Sequence, residues 1–106
     1  MCHFKLMMEV DEACCLVQCE RCRSVHVRID SITISLNQAS VMALYREVTR
    51  LKVFAEANTD EPLVLSAGCR GMDIVLSKGP LFRLFELLDR YDDECRVREM
   101  LSLFAA

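Results

Sequence analysis

The chain is predicted to be α+β, a two-layer, mostly antiparallel sheet with helices on one face. Three observations lead there. Before residue 37, apolar and polar residues alternate in four short runs, the period of a half-buried strand. Beyond Asn37, and again beyond Gly79, the apolar spacing changes to the three- and four-residue steps of an amphipathic helix. The strand-like runs come in pairs joined by short polar segments, which makes hairpins the natural connection.

In the first run Cys2, Phe4, Leu6, Met8 and Val10 share one face and His3, Lys5 and Glu9 the other, with Met7 the exception. A turn at Asp11-Glu12 leads into a second strand over about Ala13 to Gln18. The register that follows pairs Val10 with Ala13, Met8 with Cys15, Leu6 with Val17 and Phe4 with Cys19, apolar against apolar throughout. A second hairpin turns at Asp30-Ser31, with Val25, Val27, Ile29, Ile32, Ile34 and Leu36 on one side and His26, Arg28, Thr33 and Ser35 on the other. Asn37 is a good N-cap, and the helix after it carries the stripe Val41, Leu44, Tyr45, Val48, Leu51 and Ala55.

Asn58 to Pro62 is a polar linker. Leu63, Leu65 and Ala67 then face Met72, Ile74 and Leu76 across a Gly68-Cys69-Arg70-Gly71 loop. Gly79-Pro80 opens a helix with proline in the tolerated first turn, striped by Leu81, Leu84, Phe85, Leu88 and Tyr91. Asp92-Asp93-Glu94 is expected to break or cap it, leaving a last helix with Val97, Met100, Leu101 and Phe104. The halves align at an offset of 40 residues, Ile34 with Ile74, Leu44 with Leu84 and Val48 with Leu88. That suggests a repeated hairpin–helix unit, although strand-to-helix units in general share this spacing. Length fits a single domain over 1–106, with 1–57 and 62–106 as subunits.

The composition, 53% apolar and 27% charged, excludes a disordered chain. A net charge of −3 gives no bulk attraction to nucleic acid or an anionic membrane. No basic stripe or aromatic platform appears, so nucleic acid is not an expected partner. No apolar run reaches the ~18 residues of a membrane span, and Lys5 and Glu9 come too early for a signal-peptide core. The expected compartment is the cytoplasm, where cysteines are reduced or metal-bound rather than disulfide-paired.

Five of the seven cysteines lie in the first 22 residues, and Cys19-Glu20-Arg21-Cys22 is a Cys-x-x-Cys. Two thiolates on one turn between strands form half of a zinc site. Arg23 stands where glycine would ease that turn. The hairpin register brings Cys2 and His3 opposite the turn as the second pair of ligands, with His26 as a substitute four residues past Cys22. Cys14 and Cys15 are too far along the strand, and Cys15 reads as core.

Other readings of these residues are open. A cysteine at a strand end is often a small apolar side chain. A thioredoxin-like redox pair would open a helix, whereas here a strand follows Cys22. Cys69, beside Arg70 on a loop, is a candidate reactive thiol, and Cys95 reads as packing. The apolar end Met100-Leu101-Ser102-Leu103-Phe104 suggests a dimer or protein-partner contact.

The start Met1-Cys2-His3-Phe4-Lys5, then Cys19-x-x-Cys22, a strand pair, a long helix, a second strand pair and a helical C-terminus, resembles a family of small bacterial proteins of unknown function. The resemblance spans nearly the whole chain. It implies a cytoplasmic, single-domain protein, and it groups Cys2, His3, Cys19 and Cys22 as one constellation. The sequence therefore predicts a non-enzymatic interaction or regulatory domain with a structural zinc. A metal-free dimerisation module and a thiol-redox protein are the alternatives.

Overall fold

The computed structural model describes residues 3–57, 63–65 and 73–105. Strands β1 (Phe4–Asp11), β2 (Cys14–Cys19), β3 (Val25–Ile29) and β4 (Ile32–Leu36) form an antiparallel sheet in that order. Helix α1 (Gln38–Ala57) follows, then the two-stranded antiparallel sheet β5 (Leu63–Leu65) and β6 (Ile74–Leu76), then helix α2 (Lys78–Ala105). The class is α+β. The unit β5–β6–α2 repeats the element order of β3–β4–α1 with shorter strands and a longer helix, which does not by itself establish a repeat.

One face of the larger sheet is dry. Cys14, Leu16, Val25, Val27, Ile29, Ile34 and Leu36 point from it into a core shared with Val41, Leu44 and Val48 of α1 and Leu81, Leu84, Leu87 and Leu88 of α2. Helix α2 packs on β1 and β2, α1 on β4 and β5, and the helices pack on each other. Asn37 caps α1 as predicted: its Oδ1 accepts from Ser40 N–H at 2.8 Å and its carbonyl from Val41 N–H at 3.1 Å. The Asp30-Ser31 turn also forms, with Asp30 at φ 52° and Ile29 paired to Ile32.

The first hairpin departs from its predicted register. Phe4 pairs with Cys19 and Leu6 with Val17 as expected, but Met8 pairs with Leu16, Glu9 with Cys15 and Asp11 with Cys14. Two irregularities, between Leu6 and Met8 and between Glu9 and Asp11, insert extra residues into β1. Each one-residue slip exchanges faces. Met8 therefore packs on the core while Phe4 and Leu6 are exposed. The same shift reverses the two adjacent cysteines: Cys14, judged only too distant to be a ligand, is fully buried, and Cys15, predicted to be core, sits half-buried on the outer face.

The acidic run at 92–94 does not break α2, which is continuous from Lys78 to Ala105. Asp92 is buried and pairs with Arg96 at 3.1 Å, and Glu94 pairs with Arg98 at 3.4 Å. Both are i,i+4 pairs that stabilise a helix rather than end it. The predicted linker at Asn58–Pro62 and the Gly68–Gly71 loop with Cys69, along with Ala67 and Met72, lie outside the described residues.

Candidate metal centre

Strand β2 ends at Cys19, and the chain turns back through Glu20 to Ser24 before entering β3. Cys19 N–H donates to the Ser24 carbonyl at 2.9 Å, and Arg23 N–H donates to the Cys19 carbonyl at 3.1 Å. Closing so tight a loop puts Arg23 at φ 61°, the left-handed region where a side chain is strained and glycine is not. Strand β1 runs alongside, and Glu20 N–H donates to the His3 carbonyl at 3.0 Å. The register thus brings His3 beside the Cys-x-x-Cys turn.

Cys19 exposes no surface, yet it stands outside the contiguous core. The turn itself covers it. The backbone N–H of Cys22 donates to its sulfur, as do those of Arg21 and His3, with the Cys22 thiol adding to them. Led by the Cys22 N–H, these donors hold the thiol down to about 6 against the burial that opposes ionisation. Cys22 is exposed, its Sγ 3.3 Å from Ser24 Oγ and within hydrogen-bonding reach of Cys19. A thiolate ringed by backbone N–H groups, with a second thiol beside it, is the donor arrangement a soft cation needs from one half of its shell.

The other predicted ligands are placed differently. His3 is exposed, tied by its backbone to the turn. Cys2 lies outside the described residues. His26, the substitute, is on the outer sheet face, with its ring edge-on to Phe4 at 4.5 Å between centroids and its Nδ1 3.1 Å from Ser35 Oγ. Among the described residues no three cysteine, histidine or acidic side chains converge as a ligand set. Cys14 is withdrawn into the core, its Sγ donating to the Arg83 carbonyl at 3.6 Å, and burial pushes its thiol up to about 11.

Two links from α2 to the sheet went unread in the sequence, one of them beside the turn. Tyr91 of α2 donates from its hydroxyl to Gln18 Oε1 at 3.3 Å, bracing the end of β2. Burial, with a hydrogen bond to Cys95, pushes that phenol up to about 12, while Arg98 and Arg23 act the other way. Arg83 closes the far end of the sheet, bonding Asp11 at 3.1 Å and Asp30 at 2.9 Å and so joining both hairpin turns. Tyr91 was visible as a stripe residue, but nothing in the spacing announced its polar partner.

Among the described residues no helix is long and apolar enough to cross a membrane. Comparison with protein-family models, with curated proteins and with solved structures finds no match.

Proposed function

We propose that the protein is a non-enzymatic interaction or regulatory domain held together at one end by a structural zinc ion. Cys19 and Cys22 supply two thiolates, and Cys2 and His3 complete a tetrahedral set. The observation that carries this reading is the convergence on Cys19 of backbone donors from both its own turn and His3. Those donors stabilise a thiolate before any metal arrives, and the backbone of His3 is held at the same turn. Binding requires the exposed His3 side chain to rotate over the turn, its backbone already being pinned there. His26 is the weaker fourth ligand because the sheet turns it toward Phe4 and Ser35. A reducing cytoplasm is the compartment such a site requires.

The test is elemental analysis of protein purified without a histidine tag. One zinc per chain is expected, lost in the Cys19→Ser/Cys22→Ser double variant. Protein free of stoichiometric metal overturns the reading.

A specific observation favours a second reading, self-association. The end of α2 leaves Val97, Met100, Leu101, Leu103 and Phe104 from 50% to 83% exposed, an apolar patch of the kind that marks a contact surface. A dimer by light scattering, reduced to monomer by Leu101→Glu/Phe104→Glu, is expected; a wild-type monomer at high concentration removes it.

A further inference from the structure

Three cations from segments far apart in sequence line one concavity of about 220 Å³ beside the cysteine turn: Lys5 on β1, Arg23 on the turn and Arg98 on α2. Glu20 is the one carboxylate on its wall and Cys19 the one thiol, so the three cations still outnumber the acidic groups, on a chain whose total is −3. Among the described residues neither Lys5 nor Arg23 pairs with a carboxylate, and Arg98 pairs with Glu94 at 3.4 Å. Three like charges around one hollow repel one another, less strongly for being exposed to water, and an anion between them relieves that repulsion.

Arg23 adds an independent observation. Its φ of 61° is a conformation glycine would adopt without strain. A charged side chain kept there at the expense of the backbone points to a use for the charge. Its side chain stands between this concavity and a neighbouring groove bordered by Tyr91, Asp92, Cys95 and Arg96, so it closes one wall of each.

We infer that the concavity binds a phosphate group, carried on a small molecule or as the free ion. Two guanidinium forks and one ammonium suit a dianionic tetrahedral oxyanion better than a monoanionic carboxylate. Gln18, oriented by its bond to Tyr91, with Met7 and Cys19 forms the rest of the wall, where an organic substituent would lie. The inference does not depend on zinc, because β1, the turn and α2 set the cations by their own hydrogen bonds and packing.

The experiment is calorimetric titration of the full chain with ribose 5-phosphate and, separately, with inorganic phosphate. Saturable binding of at least one probe is expected, weakened about tenfold or more by Arg23→Gly and by Lys5→Gln. Arg23→Gly should also raise the melting temperature, which separates loss of the charge from loss of the fold. Tighter binding of ribose 5-phosphate identifies a phosphorylated small molecule as the source, and equal binding identifies the free ion. Absence of saturable binding by either probe, or binding that both substitutions leave unchanged, overturns the inference and leaves the cations as counter-charges to the cysteine thiolates.

Discussion

Glu20 donates its backbone N–H to the carbonyl of His3 at 3.0 Å, one step beyond the Phe4–Cys19 pair of the β1–β2 ladder. The bond ties His3, distant in sequence, to the cysteine turn, as the proposed zinc site requires. His3→Ala should therefore weaken zinc retention, measured by competition with a chromophoric chelator. Loss of a ligand should exceed the roughly 10–100-fold cost of removing an outer-shell partner. His26→Ala should leave retention unchanged, and the opposite ranking would exchange the two roles.

Acid should destabilise the metal-free turn. Cys19 is held at about 6 against an ordinary 9.0, chiefly by the Cys22 N–H. Its folded pKa is depressed, so the stabilisation is fully present above the unfolded value, shrinks as pH falls, and is gone once pH has fallen through the folded value. Metal-free wild type should melt above Cys19→Ser at pH 9, with the difference closing toward pH 6. A difference independent of pH would show that the ionised sulfur is not what stabilises the turn.

The cysteines should differ sharply in reactivity. Cys22 is exposed on the turn, while Cys14 has no exposed surface and a thiol pushed by burial up to about 11. Iodoacetamide should label Cys22 in the folded metal-free protein and reach Cys14 only on unfolding, as read by peptide mass spectrometry. Labelling of Cys14 at the pace of Cys22 would contradict the observed facing of β2.

Arg83 joins the Asp11 and Asp30 turns from α2. Arg83→Gln should lower the melting temperature by a few degrees, less at high salt because the pairs are partly exposed. Asp11 is held below the usual carboxylate range first by the Ala13 N–H and then by Arg83. That depressed pKa contributes stability above 3.8 and loses it as pH falls through the lower folded value, so the effect of the substitution should fade in acid.

Two leucines on the same helix should behave oppositely. Leu84 is fully buried at the centre of the core, and Leu84→Ala should cost about 2–5 kcal/mol in denaturant unfolding. Leu103 is 78% exposed, and Leu103→Ala should change monomer stability by less than about 0.5 kcal/mol. A larger, concentration-dependent effect at Leu103 would support self-association.

Much of this architecture was legible because it rests on local rules. Asn37 caps α1, Asp30 turns the second hairpin, and the stripe from Val41 to Ala55 faces the core. The acidic run at 92–94 was misread because charge was weighed without its i,i+4 partners, although Arg96 and Arg98 stand at that spacing. Half of the candidate site was equally plain: Cys19 and Cys22 meet on one turn beside His3. Alternation also placed His26 on the outer sheet face with Ser35, where the structure has it against Phe4, so its nearness to Cys22 along the chain was the weaker guide.

The cysteine cluster with which β2 begins and ends divides the two kinds of information. The sequence by itself determined the element types, the α+β class and the presence of a Cys-x-x-Cys turn, since periodicity, caps and turn residues act over a few positions. Only the tertiary structure decided which of Cys14 and Cys15 is inside, that Phe4 and Leu6 face outward, and that Lys5, Arg23 and Arg98 share one concavity. The bulges in β1 are responsible for much of this. Each is a one-residue offset that depends on how the whole sheet packs, and alternation along the strand registers the first only as the exception at Met7 and the second not at all.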